Sequence, residues 1–111
     1  MPDHRHWQTA DFRAARPWGA ELVAAIDAPP GRAVTTRLHW TDAPYHWHVN
    51  DGDELMVILH GKLEMRVRRD GQEQSYQLAA GDLFQALEGC EHRALPQGEV
   101  RLLVIEREGS V

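Results

Sequence analysis

The sequence predicts an all-β domain, a sandwich or barrel built from short antiparallel strands. Three observations carry that reading. From Gly19 onward, turn signals recur every eight to twelve residues: Pro29-Pro30-Gly31, Asp51-Gly52, His60-Gly61, Asp70-Gly71, Ala80-Gly81-Asp82, Glu88-Gly89 and Pro96-Gln97-Gly98. The runs between them alternate in polarity or are rich in aliphatic and β-branched residues. Almost no stretch reads as helix, and the connections are short, so neighbouring strands should pair antiparallel.

Each element follows in order. Residues 1–18 form an irregular polar lead-in, with Pro17 as a breaker and a short helical turn expected over residues 11–15, where Ala and Arg favour it. Residues 20–26 read as a strand, although their alanines also suit a helix. Residues 33–40 alternate Val34, Thr36, Leu38 and Trp40 against Thr35, Arg37 and His39. Residues 54–59 are apolar after Glu54. Leu63, Met65 and Val67 alternate with Glu64, Arg66 and Arg68. Residues 75–78, 83–87, 92–95 and 100–106 complete the set. The expected organisation is a lead-in over 1–18, one domain over 19–108 and a short tail over 109–111.

Length and charge bound the function. A chain of 111 residues holds one compact domain with one core. The net charge of −5 and the absence of a long Lys/Arg run argue against a nucleic-acid partner, and no DNA-binding helix-turn-helix is visible. The longest basic cluster, Arg66-Val67-Arg68-Arg69, reads as a solvated strand end. No apolar run approaches membrane-spanning length, so no membrane partner is expected. The N-terminus shows no apolar secretory segment, and Cys90 is a lone cysteine that cannot form an intrachain disulfide. A cytoplasmic location is the default expectation.

Seven histidines are many for this length, and they focus the search for chemistry. His46 and His48 flank Trp47. In a strand, residues i and i+2 share a face, so the two imidazoles would stand side by side and can share one metal ion. Glu54 opens the apolar run 55–59, and a carboxylate at the start of a buried strand is costly unless paired or bound to a cation. A returning strand would set it opposite the histidines. His92 follows the next strand and turn as a fourth candidate ligand. His4 and His6 lie in the polar lead-in and His60 precedes a turn glycine, so all three should be exposed. His39 shares a face with Arg37, either a rim or a solvated face, with cavity lining as the alternative. Met56, Ile58, Met65, Tyr76, Leu78, Phe84 and Ile105 read as core or cavity lining. Gln85 is a candidate polar contact in the cavity. Cys90 has no evident neighbour to stabilise a thiolate.

With these residues the chain resembles the cupin family, whose two motifs are G-x5-H-x-H-x3,4-E-x6-G and G-x5-P-x-G-x2-H-x3-N. His46-x-His48 and Glu54-x6-Gly61 match the first; Gly81, Gly89 and His92 match the second. The matched region spans His46 to His92, and the strand pattern extends the likeness over most of the chain. Several positions depart from the motifs. Trp40 stands at the leading glycine, Leu87 at the proline and Pro96 at the asparagine. Five residues separate His48 from Glu54, so Asp53 fits the family spacing and is the rival carboxylate. Glu54 is preferred for its distance to Gly61 and its longer side chain.

The resemblance implies a double-stranded β-helix, a jelly-roll barrel of two antiparallel sheets. It is closest in kind to small bacterial stand-alone cupins such as those resembling mannose-6-phosphate isomerase. It implies one divalent transition metal held by His46, His48, Glu54 and His92, for which Fe, Mn, Ni, Co, Zn and Cu are all suited. Met56, Tyr76, Gln85 and His39 are the cavity-lining candidates. A homodimer is implied by the same likeness. The expected activity is on a small oxygenated metabolite, as a dioxygenase or a sugar-type isomerase or lyase. The alternative is a non-catalytic, metal-dependent small-molecule binding module. A metal-free structural barrel is the third reading.

Overall fold

The structure, a computed structural model, describes residues 3–26 and 32–110. The Pro29-Pro30-Gly31 signal lies outside the described residues. Nine strands run through them in chain order: β1 (Gly19–Ile26), β2 (Val34–Thr41), β3 (His48–Val49), β4 (Glu54–His60), β5 (Lys62–Arg69), β6 (Gln72–Ala79), β7 (Leu83–Ala86), β8 (Glu91–Pro96) and β9 (Val100–Arg107). They form a five-stranded sheet, β1-β2-β9-β4-β7, and a four-stranded sheet, β3-β8-β5-β6. Every pairing is antiparallel. The two sheets enclose the interior of a jelly-roll barrel, as the strand pattern and the resemblance led one to expect.

Turn chemistry sets the register. Asp70 and Gly71 both take positive φ, 52° and 78°. That is the two-residue type I′ turn whose twist suits a hairpin, and it aligns β5 with β6 from Arg69 opposite Gln72 to Lys62 opposite Ala79. Gly61, between β4 and β5, has φ of 89°, and a Cβ there would sit 2.2 Å from the Glu99 carbonyl oxygen. No other residue fits that approach of the two chains.

One half of the interior is aliphatic. Ile58, Leu63, Met65, Leu102 and Val100 are all but fully buried, with Met56, Leu78, Ala94 and Val104 beside them. Burying each large side chain contributes about 1.5–3 kcal/mol. The segment 20–26 is strand, not helix: it hydrogen-bonds along β2, which supplies a partner that an isolated alanine-rich helix would lack. Among the described residues there is no helix, and so none long and apolar enough to cross a membrane.

The lead-in corrects two expectations. No helical turn forms over residues 11–15. The chain bends at Thr9–Phe12, where the Phe12 N–H donates to the Thr9 carbonyl at 3.2 Å. Arg101 Nε then donates to the Phe12 carbonyl at 2.6 Å, taking the acceptor that a helix would have given to Arg16. His60 is half-buried rather than exposed, with its Nε2 3.3 Å from the Thr9 hydroxyl.

The lead-in also explains the sense of β2. Leu38 and Trp40, 1% and 2% exposed, lie outside the interior cluster, on the sheet's outer face. The Arg13 guanidinium rests 4.8 Å above the Trp40 ring. The alternating partners Thr35, Arg37 and His39 therefore face inward. Polarity alone would have assigned the two faces the other way round.

Candidate metal centre

Two histidines come from the four-stranded sheet. His48 on β3 stands directly opposite His92 on β8, with ring centroids 4.2 Å apart. The carboxylate comes from the facing sheet, where Glu54 opens β4 between Glu106 of β9 and Ala86 of β7. Asn50 ties the two sheets together here. Its backbone bonds to Cys90 and Gly89, and its buried side chain donates to the Ala86 carbonyl at 3.0 Å. The loop that carries the chain from His48 to Glu54 is thus pinned at its middle.

One ligand atom from each of His48, Glu54 and His92 lies within 4.8 Å of the others. His92 Nε2 and Glu54 Oε1 face each other at 3.4 Å, and both are buried without a hydrogen-bond partner among the described residues. The other ring nitrogens are occupied. His48 Nδ1 lies 3.2 Å from the His46 carbonyl and His92 Nδ1 lies 3.4 Å from the Cys90 carbonyl. A carbonyl only accepts, so each Nδ1 carries the proton and each neutral ring presents its Nε2 lone pair to the interior. Orphaned buried acceptors of this kind are costly unless a cation meets them. The donor set, two imidazoles and a carboxylate, fits a divalent transition ion.

Electrostatics favour the same state. Burial, and then the neighbouring His92, lower the His48 pKa, which keeps the ring neutral. Burial pushes Glu54 up, but its polar neighbours, Glu106 among them, more than offset that, so its net shift is down and it is ionised. Glu106 is raised to about 7, first by burial and then by Glu54. Burial also lowers His39, whose Nδ1 donates to the Trp18 carbonyl at 3.1 Å. Cys90 is raised by burial and by the Glu54 charge, so its thiolate is disfavoured.

The remaining candidates fall in different places. His46 lies before the two-residue strand β3, so strand alternation does not govern it. It is exposed and stacked on Tyr45 at 4.2 Å, outside the three-residue group, with its ring 5.8 Å from that of His48. Asp53, the rival carboxylate, is exposed and accepts the Glu88 N–H at 2.9 Å. Met56 and His39 line the cavity beside the group, which measures about 280 Å³. Tyr76 and Gln85 do not. Tyr76 sits on the edge strand β6, 45% exposed, with its hydroxyl on Gln74. Gln85 follows the inward-facing Phe84 and so points outward, into a groove beside Leu55.

Among the cavity-lining residues that motif reading did not single out are Trp18, Arg37, Tyr45, Glu106 and Ser110. Alternation carried a signal for two of them. Arg37 is two residues from His39, and Glu106 is a charged residue inside an aliphatic strand. Trp18 carried none. It is set by a positive φ of 63°, by its Nε1–H bond to the Ala43 carbonyl at 2.8 Å, and by edge contact with Tyr45.

Outside the site, the basic cluster is partly paired. Arg68 makes a bidentate contact to Glu91 and lies 4.1 Å over Trp47, and Arg66 pairs with Glu64.

No protein-family model matches the sequence, and no curated protein does. Solved structures do match the fold. A cupin superfamily protein from Desulfitobacterium hafniense aligns with a TM-score of 0.70 at 20% identity, over 96% of this chain and 94% of that one. A cupin-2 domain protein from Shewanella frigidimarina aligns at 0.69 and 22% identity, over 84% and 83%. An oxalate decarboxylase from Bacillus subtilis, described with Mn(II) centres, aligns at 0.62 and 18% identity, over 72% of this chain and 24% of that one. The two full-length likenesses and the arrangement of two antiparallel sheets give this chain the fold of a small stand-alone cupin.

Proposed function

We propose that this protein holds one divalent transition metal ion in the barrel and uses it to bind, and act on, a small oxygenated metabolite. The observation that carries the reading is the buried pair Glu54 Oε1 and His92 Nε2, facing each other without hydrogen bonds among the described residues, beside the His48 ring. His48, Glu54 and His92 would hold the ion, and His46 would complete the set by turning its exposed ring from Tyr45 toward His48. When bound, such an ion supplies Lewis acidity to a carbonyl, enolate or hydroxyl oxygen.

The chain's own residues do the rest. The backbone carbonyls of His46 and Cys90 fix the tautomers of the two rings. Asn50 holds the loop that brings Glu54 to the histidines. Met56, Val104 and Ala94 wall the cavity and exclude water, which strengthens every polar contact inside it. Glu106, raised to about 7 by burial and by Glu54, stands within the cavity, where it can take up or return a proton.

A dioxygenase and an isomerase or lyase both use such a centre, and the Mn(II) chemistry of the oxalate decarboxylase neighbour supports the lyase branch. Turnover of a panel of enolic and catecholic compounds, followed by oxygen uptake and by product analysis, tests this reading against His48→Ala. Metal-dependent turnover lost in the variant is the expected result. Thermal stabilisation by a metabolite without turnover would instead favour a binding module.

A further inference from the structure

The cavity contains a cation that the metal site does not use. Arg37 lies on the inward face of β2, two residues from His39, and lines the same 280 Å³ space as His48, Glu54 and His92. Its guanidinium offers five donors in a planar fork. One of these is committed, from Nη1 to the Thr35 hydroxyl at 3.1 Å. Among the described residues Arg37 enters no ion pair, while Arg66, Arg68 and Arg101 each do. The Arg37 charge acts on Glu106, an acid lining the same cavity beside Glu54, without forming an ion pair with it.

The walls around it are flat. Trp18 and Tyr45 meet edge to face at 5.2 Å, and Trp18 meets His39 in the same way at 6.5 Å. Hydrogen bonds fix two of these groups, through Trp18 Nε1 to Ala43 and His39 Nδ1 to Trp18. A space of this size, below the usual range for drug-sized ligands, takes only a small molecule.

From this placement we infer that the cavity recognises a small planar carboxylate, with Arg37 as the specificity-determining residue that binds its carboxylate. The conjugated body lies among Trp18, Tyr45 and His39, and a second oxygen reaches toward His48, Glu54 and His92. A bidentate guanidinium–carboxylate contact in a partly desolvated cavity is among the stronger hydrogen-bonded pairs, and no neutral isostere reproduces it. The inference names the ligand class of the metal-dependent site proposed above and rests on that reading for the second oxygen only.

The test measures binding of benzoate and salicylate, with benzamide and salicylamide as neutral partners, to metal-loaded protein by calorimetry. Metal content per chain is recorded in parallel. The expected result is that each acid binds about tenfold or more tighter than its amide. Arg37→Gln should remove most of that ratio at unchanged metal content, and Arg37→Lys should keep part of it. An acid-to-amide ratio unchanged in Arg37→Gln would assign the carboxylate to the metal and overturn the inference. Absence of binding by either acid to the wild type would overturn it too, as would equal competition by inorganic phosphate, which has no planar body. The two proposals fail separately. A chain that holds no metal but still prefers benzoate through Arg37 loses the metal reading and keeps this one. A metal-loaded chain indifferent to Arg37 does the reverse.

Discussion

The two ends of the barrel interior are built on the same strands and follow opposite rules. On β4, Ile58 points into aliphatic packing, while Glu54, four residues earlier on the same face, points at His92. On β9, Leu102 and Val104 pack, and Glu106 continues their row into the cavity. Strand alternation treats these positions alike. What separates them is the partner opposite: Leu63, Met65 and Ala94 at one end, and two imidazoles at the other. One end therefore carries stability, and the other spends some of it to keep ligand atoms desolvated and unpaired.

Substitutions at the two ends should move stability in opposite directions. Leu63 is fully buried, and Leu63→Ala should cost roughly 3–5 kcal/mol in urea unfolding, since the packed sheets cannot collapse onto the space. A loss under 1 kcal/mol would show that this end is loosely packed. Saturating metal should raise stability by about 2.7 kcal/mol at a hundredfold excess over its dissociation constant, and chelation should reverse the gain. Thermal scans with and without chelator measure this.

At the polar end, Glu54→Leu should abolish that metal response. It should also stabilise the metal-free chain by roughly 1–2 kcal/mol, because a buried acid gives way to an apolar side chain. Destabilisation of the metal-free variant would mean that the Glu54–His92 pair is a structural ion pair.

The pH response sharpens the same contrast. Glu106 has a folded pKa of about 7, raised from an ordinary value of 4.5. Between these values this carboxyl binds more protons in the folded chain than in the unfolded chain, so its contribution to stability falls as pH rises through that window. Glu106 therefore contributes a loss of stability as pH rises from about 4.5 to about 7, opposed by the lowered His39 and His48, and the profile of metal-free Glu106→Gln should rise more steeply with pH than that of the wild type. The smallest effect is expected at the surface. Arg68→Ala removes a half-exposed pair with Glu91 and the stacking on Trp47 and should leave the unfolding midpoint nearly unchanged.

Much of this was legible in the sequence. Glycine and proline punctuation located the strands, because turns with positive φ restrict which residues they accept. His48, Glu54 and His92 were legible because motif spacing is tied to strand length across a barrel of fixed width. The less legible features depend on long-range partners. On the outer face of β2, Trp40 is covered by Arg13 of the lead-in, and no local pattern encodes that cover. Strand geometry was assumed for His46, but β3 begins at His48. Tyr76 and Gln85 read as cavity lining because alternation gives two faces without saying which is inside. Trp18 owes its place to a left-handed backbone and one hydrogen bond.

The central claim is that His48, Glu54 and His92 form a metal centre. The most direct test is the metal content of the purified chain after equilibration with divalent transition ions and removal of excess, compared with Glu54→Leu and His92→Ala. The account predicts about one ion per wild-type chain and loss of stoichiometric binding in both variants. Wild-type protein that is folded, metal-free and indistinguishable from the two variants would contradict it.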